Sequence, residues 1–246
     1  VTTIRPLAES FQSMTQRLRA LIEGQQEFTN ALSHELRTPL ARIKFGLEML
    51  KEDLPASAKN ELQNLRQDVQ EIDELIGSML DYARLEHPDL EIRWQSVPAQ
   101  QLVNENVSKF QHGKRMVKIE VANDVGSSEV ECDPYLMGLS LSNLLSNALR
   151  YAKTRVCVNF QQLGHSWHLQ VDDDGPGIPK NSREQVLKAF ARLDDSRDRG
   201  TGGYGLGLAI VSRIASLHGG SINIEQSTLG GARFSLCWPV KQVVGG

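Results

Sequence analysis

The chain has 246 residues, of which 40% are hydrophobic and 23% charged, and its net charge is −3. That length suits one large or two ordinary globular domains, and the slightly acidic balance excludes the basic surplus that marks nucleic-acid binding. The scattered Cys132, Cys157 and Cys237 offer no disulfide framework or zinc spacing and suit a reduced compartment.

No apolar run approaches the roughly 18 residues of a membrane-spanning helix, and the chain starts inside a helical pattern, as a piece of a longer protein would. Phe11, Met14, Leu18, Leu21, Phe28 and Leu32, with the polar Gln25 at one position, follow the three–four steps of a coiled-coil seam. The steps lengthen to four and four across Leu32, Leu36 and Leu40, a stutter, and then resume through Ile43, Leu47 and Leu50. Ser33-His34-Glu35-Leu36-Arg37-Thr38-Pro39-Leu40 occupies that discontinuity. A proline inside a helix costs about 3 kcal/mol or more, because it lacks an N–H and crowds the carbonyl four residues back. Here that carbonyl is Glu35's, beside His34, whose place off the seam predicts a solvent-facing ring.

Residues 52–57 (Glu-Asp-Leu-Pro-Ala-Ser) break the helix, and Leu62, Leu65, Val69, Ile72, Ile76 and Met79 form a second seam. Two helices with narrow apolar stripes bury little alone. Pairing two hairpins in a four-helix bundle buries both seams, so the pattern predicts a homodimer, with a contact to the second domain as the alternative.

After Pro88 the pattern turns mixed. Leu90–Trp94 and Lys118–Ala122 read as strands, and Ala99–Phe110 and Pro134–Tyr151 as helices, the latter with Asp133 as N-cap and Pro134 at its first position. Val156–Phe160 and Trp167–Val171 alternate as strands about a turn at Gly164. Thr201–Leu217 runs from a glycine-rich loop into a helix, and Ser221–Glu225 and Arg233–Trp238 read as a closing strand pair. The whole is an α+β chain, a helical hairpin followed by an α/β sandwich.

Three constellations carry chemistry. Asn143, Asn147, Arg150 and Tyr151 share one helix face, opposite Leu141, Leu144, Leu145 and Ala148. Amide oxygens and a cation on one stripe suit a Mg²⁺–phosphate cluster, or else a solvated polar face. Asp172-Asp173-Asp174-Gly175-Pro176-Gly177-Ile178 ends a strand whose parity turns Asp173 inward and its two neighbours outward. An acid at a pocket floor can accept from an exocyclic amine, and glycines let a planar base approach; an acidic turn is the alternative. Gly200 to Leu208 opens a helix with glycine-rich backbone, a phosphate cradle or a flexible loop. It lacks the Gly-Lys-Ser/Thr of a P-loop. His165 and His168 flank a turn without a metal pattern, and His87, His112 and His218 read as surface or helix-end residues.

In this order the motifs resemble those of sensor histidine kinases of bacterial two-component systems, over essentially the whole chain. Ser33–Leu40 is similar to the phosphoacceptor box, Asn143–Tyr151 to the N box, Asp173–Ile178 to the first glycine box, Phe190-Ala191-Arg192 to the F box, Gly203–Leu208 to the second glycine box, and Gly230–Phe234 to the terminal glycine motif. The resemblance implies three parts: the last helix of a HAMP linker (1–27), a dimerisation and phosphotransfer hairpin (28–88) and a GHKL-type ATP-binding domain (89–246).

It also implies roles. His34 is the nucleophile for the γ-phosphoryl group, Glu35 the base holding the other ring nitrogen's proton, and Thr38 a partner of Glu35 in dephosphorylating the response regulator. Asn147 ligates Mg²⁺, and Asn143, Arg150 and Tyr151 complete the nucleotide face. Asp173 accepts from the adenine amine, flanked by Gly175, Gly177 and Ile178. Gly203, Tyr204, Gly205, Leu206, Gly207 and Leu208 cover the nucleotide, and Arg192 or Arg197 neutralises charge at the γ-phosphate. Arg150 departs from the lysine common in the family. The implied cofactors are ATP and Mg²⁺, and the implied partners a second copy and a receiver domain. The implied location is the cytoplasmic portion of an inner-membrane protein whose membrane contact lies upstream. An inert signalling scaffold and another GHKL-type ATPase are the rival readings.

Overall fold

The computed structural model describes residues 36–50, 56–110, 117–123, 128–192 and 204–240. The chain separates into two compact units, residues 1–90 and 91–246. His34, Glu35, Arg197, Gly203, the expected linker helix (1–27) and most of the expected 52–57 break lie outside the described residues.

In the first unit, residues 36–49 (α1) and Ala56–Leu85 (α2) form the expected pair of helices, and Pro39 lies within α1 on its exposed side. Leu40, Val69 and Ile76 make a small core, with Leu47 and Leu80 packed against it. Only half of each seam is covered. Leu65, Ile72 and Met79 on α2 are 52%, 46% and 39% exposed, and Leu36, Ile43 and Leu50 on α1 are also exposed. Arg66 Nη2 donates to the carbonyl of Leu47 at 2.8 Å and pairs with Glu48. It thereby satisfies one of the carbonyls that the end of α1 leaves without a helical donor.

The second unit is an α/β sandwich. Its large sheet contains Lys118–Asn123 (β2), Arg155–Leu163 (β4), Ser166–Asp173 (β5), Ser221–Gln226 (β6) and Ala232–Pro239 (β7), in the order β2-β4-β5-β7-β6. β2 runs parallel to β4, and the other pairs are antiparallel. The period-two pattern places Val156, Val158, Phe160, Trp167, Leu169, Val171, Phe234, Leu236 and Trp238 on the buried face. Ala99–Ser108 (α3), Pro134–Tyr151 (α4) and Gly207–Leu217 (α5) form the helical layer, with α4 and α5 against the sheet. Phe160 packs between Trp167 and Trp238 at centroid distances of 5.5 and 5.7 Å. Gly164 turns the β4–β5 hairpin with φ 59°, the left-handed region that glycine enters freely.

Two expectations need correction. Leu90–Trp94 is not a strand; pairing begins at Gln95–Pro98 (β1), against Glu129–Cys132 (β3). The Arg93 N–H is taken by Asp133 Oδ2 at 3.0 Å, and the Trp94 ring meets His218 edge-on at 5.0 Å. Those contacts hold the segment as an irregular strap. His218, expected at the surface or at a helix end, is the C-cap of α5 but is 0% exposed, so only the surface alternative fails. Its Nε2 accepts the Asp133 N–H at 3.1 Å, and Nδ1 lies 2.9 Å from the Ile214 carbonyl, so it joins the end of α5 to the start of α4.

Candidate functional site

The site is built on α4, the loop after β5 and the start of α5. Asp133 starts α4 as expected, its Oδ1 accepting from the N–H groups of Tyr135 and Leu136. Leu141, Leu144, Leu145 and Ala148 are buried toward the sheet, which leaves Asn143, Asn147, Arg150 and Tyr151 half-buried on the other side. Asn143 is already engaged: Nδ2 donates to the Leu139 carbonyl at 2.9 Å, while Oδ1 lies against the first residue of α5. A Cβ added at Gly207 would come within 2.8 Å of that oxygen. Asn147 stands one turn on, and Arg150 sits in the last turn, where a cation suits the helix dipole.

Asp173 is the last residue of β5 and only 2% exposed. Its Oδ1 accepts from the Gly175 N–H at 2.8 Å and the Ala232 N–H at 3.1 Å, and its carbonyl accepts from Gly231 at 3.2 Å. Both side-chain bonds fall on one oxygen, which leaves Oδ2 as the acceptor for an incoming group. Burial pushes this carboxyl above the usual range, the two N–H donors pull it back, and the charges of Asp174 and Asp172 push it up again. Asp172, on the opposite face of the sheet, is covered by Arg233, whose Nε donates to it at 2.8 Å.

The glycines of the loop mark close approaches. A Cβ at Gly175 would lie 2.6 Å from the Tyr151 carbonyl, so this loop rests on the end of α4. Gly177 has φ 74° and sits over Gly231. The carbonyl of Ile178 accepts from Arg183 Nε at 3.2 Å.

The F-box segment and the second glycine segment meet backbone to backbone. The Phe190 N–H donates to the Gly205 carbonyl at 2.8 Å, and both residues take positive φ, 63° and 72°. Phe190 adopts this conformation although 60% exposed, a cost of order 1 kcal/mol or more for a bulky residue. Arg192 lies exposed just beyond, Tyr204 and Leu208 are half-buried, and Leu206 is buried at the N-cap of α5. Leu206 supplies no side-chain cap, so the first-turn N–H groups of α5 face a place suited to an anion.

The structure therefore brings the N-box stripe, the Asp173 loop and the α5 N-terminus together in one unit. On the helical unit, Thr38 is exposed on α1, where Arg37, Thr38, Ala41, Arg42 and Phe45 line an open hollow of about 560 Å³. A purine-sized, multiply phosphorylated ligand fits the donor set of the second unit: an accessible carboxylate oxygen on the otherwise buried Asp173, glycine-floored approaches and an uncapped helix start. For a divalent cation the described residues hold no cluster of three or more His, Cys, Asp or Glu side chains. An amide oxygen such as that of Asn147, completed by phosphate oxygens and water, is the arrangement the residues permit.

Two contacts were not legible in the sequence, although Ala232 lies in the terminal glycine motif. Asp174 accepts from the Lys153 N–H at 2.8 Å and from the Thr154 N–H and hydroxyl at 3.0 and 2.6 Å. These bonds hold its carboxyl well below the usual carboxylate range. Thr154 carries no motif that would have announced it. Ala232 reaches Asp173 through its backbone, and the only sequence signal there is the preceding pair of glycines.

Residues 24–88 match the His Kinase A phospho-acceptor domain family. Residues 132–242 match the family of histidine kinase-, DNA gyrase B- and HSP90-like ATPases. The chain belongs to the sensor histidine kinases. It is 39% identical over 234 residues to the sensor protein RstB of Escherichia coli (strain K12), an alignment covering 95% of this chain and 53% of that one. With the sensor histidine kinase CpxA of the same strain it shares 33% identity over 233 residues, 94% of this chain and 50% of the relative. The chain thus spans about half the length of the curated relatives it matches. Among solved structures, full-length ShkA in complex with AMPPNP superposes with a TM-score of 0.72 at 25% identity, over 89% of this chain and 47% of that one. The Acinetobacter baumannii histidine kinase AdeS shares the fold with a TM-score of 0.60 at 22% identity, over 85% of this chain and 98% of that one. No helix among the described residues is long and apolar enough to cross a membrane.

Proposed function

We propose that this histidine kinase transfers the γ-phosphoryl group of ATP to its own His34 and passes it to an aspartate of a response regulator. The observation that carries the nucleotide half is Asp173, buried with Oδ1 held by two backbone donors and Oδ2 left to accept an exocyclic amine. Gly175 and Gly177 leave room for the base, and the α5 N-terminus takes phosphate oxygens. Asn147 is the protein's ligand to Mg²⁺, which would neutralise phosphate charge during transfer. The neutral imidazole of His34 attacks the γ-phosphorus, the bond to the ADP oxygen breaks, and Glu35 holds the proton of the other ring nitrogen. Arg192 or Arg197 balances charge at the γ-phosphate. Glu35 and Thr38 also support hydrolysis of the regulator's phosphoaspartate, which makes the protein bifunctional. The AMPPNP complex of the ShkA relative supports the nucleotide assignment by analogy.

The domain organisation that goes with this reading is a linker helix to residue 27, a phosphotransfer hairpin over 28–88 and an ATP-binding domain from 89 on. The active form is a homodimer. The uncovered rows Leu36, Ile43, Leu50 and Leu65, Ile72, Met79 support it, because a second hairpin would bury both. The regulator docks on the α1 face that carries Thr38. The relatives are named sensor proteins, and on that basis the chain acts as the cytoplasmic portion of an inner-membrane receptor.

The test is incubation of the chain with γ-labelled ATP and Mg²⁺. Acid-labile, base-stable label absent from His34→Gln is the expected result. Nucleotide hydrolysis without label on the protein would point to another ATPase of this fold, and neither activity to an inert scaffold. Replacing Thr38 by Ala should slow loss of phosphate from the regulator; an unchanged rate removes the phosphatase half.

A further inference from the structure

We propose that Asp174 is a positioning residue that fixes the distance between the purine acceptor Asp173 and the N-box face of α4; the inference rests on the nucleotide reading above. The argument starts from how α4 is held. Its apolar face packs on the sheet, and such packing resists separation far better than a small slide along the helix axis, because hydrophobic contact is non-directional. Directional bonds sharpen the axial position that interdigitated packing leaves.

At the C-terminal end the side-chain bonds come from one carboxylate, beside a backbone bond from the Lys118 N–H of β2 to the Thr154 carbonyl at 2.9 Å. Asp174 accepts the Lys153 N–H, the Thr154 N–H and the Thr154 hydroxyl, at 2.8, 3.0 and 2.6 Å. They seize the turn that leaves α4, directly after the cap bond from the Ala152 N–H to the Ala148 carbonyl at 2.8 Å. Immediately to either side of Asp174 lie the parts it aligns. Asp173 precedes it and is pinned by Gly175 and Ala232. Gly175 follows it and rests on the Tyr151 carbonyl so closely that a Cβ would come within 2.6 Å. One helical turn before Tyr151 is Asn147. Because a helix is stiff over one turn, fixing residues 151–154 against 173–175 fixes the Asn147 amide relative to Asp173 Oδ2. A nucleotide spanning purine and phosphate sites is sensitive to that separation, and errors near 1 Å in such placement have large effects.

Asp174 points away from the site and touches no reacting group. Its loss should weaken binding of the whole nucleotide more than it slows the chemical step. In the full chain, Asp174→Ala should raise the Kd for ADP by calorimetry, and the KM for ATP, about ten-fold, with a smaller fall in kcat. Asp174→Asn keeps an acceptor for the turn's N–H groups and should recover most of the affinity. Thr154→Val removes only the hydroxyl bond and should cost two- to three-fold. A merely structural role would lower the folded fraction, and so kcat, with the Kd of the folded protein unchanged; that result overturns the proposal. If Asp174→Ala does not fold, Thr154→Val decides: ADP affinity equal to that of the unaltered chain refutes it. Failure of the unaltered chain to bind ADP would instead refute the nucleotide reading itself.

Discussion

Asp173 and Asp174 are adjacent in the chain and are pushed in opposite directions by their surroundings. Asp173 is buried, and burial lifts its carboxyl, whereas Asp174 lies outside and three donors from the α4–β4 turn hold its carboxyl far down. The end of β5 produces the difference, since Asp173 is its last residue and faces inward, while Asp174 begins the loop that reaches the α4–β4 turn. One carboxylate is left with an open oxygen toward the nucleotide site, and the other is spent on the backbone. That division yields a first prediction. Asp173→Asn should fold, because an amide oxygen can still accept from Gly175 and Ala232. Its NH₂ group would then face the incoming amine, donor against donor. Nucleotide affinity should fall between about ten- and a hundred-fold, or 1.4–2.7 kcal/mol, measured by ADP calorimetry with the melting transition nearly in place.

Gly231→Ala tests the same carboxylate from behind. An added Cβ would press into Asp173 Oδ1 and the Gly175 N–H, and lie 2.6 Å from the Asp173 carbonyl, with backbone on two sides and nothing free to move. The variant should lose about 1–3 kcal/mol of stability, the usual cost of overpacking, together with nucleotide binding. Gly46→Ala is the control, because nothing lies within 4 Å of a Cβ there in exposed helix. It should be stabilising by up to about 1 kcal/mol. Urea denaturation of both variants gives the comparison; a neutral Gly231→Ala would mean that the loop shifts freely.

The N-cap of α4 should be costly to remove. Asp133 serves two N–H groups of the first turn through Oδ1 and the Arg93 strap through Oδ2. Asp133→Ala should lose about 1–2 kcal/mol for the cap alone and free the strap. The second effect is readable as faster hydrogen exchange at the Arg93 amide. Retained protection there would show that Trp94 packing suffices to hold the segment.

Much of the fold was legible because period and punctuation agree. The two helical seams, the Asp133–Pro134 start of α4 and the Gly164 hairpin all announce themselves in residue type. So did the inward turn of Asp173, which parity alone places. What escaped depends on partners distant in sequence. The strap at Leu90–Trp94 carries strand-like residues, yet its course is set by Asp133, forty positions away. His218 follows a helix and precedes two glycines, a surface-like context, and is buried where Trp94 of the strap and the start of α4 meet the end of α5. No local pattern encodes such a neighbour. The clamp between Asp174 and Thr154 escaped for the same reason.

His218 should make stability depend on pH in a defined window. Nδ1 donates to the Ile214 carbonyl, which leaves Nε2 to accept the Asp133 N–H, so the native contact needs the neutral ring. Burial lowers the pKa below its ordinary 6.5; the bond to Ile214 and the charge of Asp133 oppose that shift without reversing it. With the folded value below the unfolded one, the unfolded chain binds the extra proton first as pH falls. Stability is therefore fully present above the unfolded pKa and is lost as pH drops from about 6.5 through the folded value, below which the loss levels off. The free energy of unfolding in urea should decline over that interval in the unaltered chain. His218→Gln cannot titrate, and its stability, lower overall, should change less across the same pH range. Equal slopes in the two proteins would assign the acid sensitivity to carboxylates elsewhere. A neutral His218 that held the Asp133 N–H at pH 7.5 and released it on protonation at acid pH would show directly as faster exchange of that amide, with the amides of β5 unaffected.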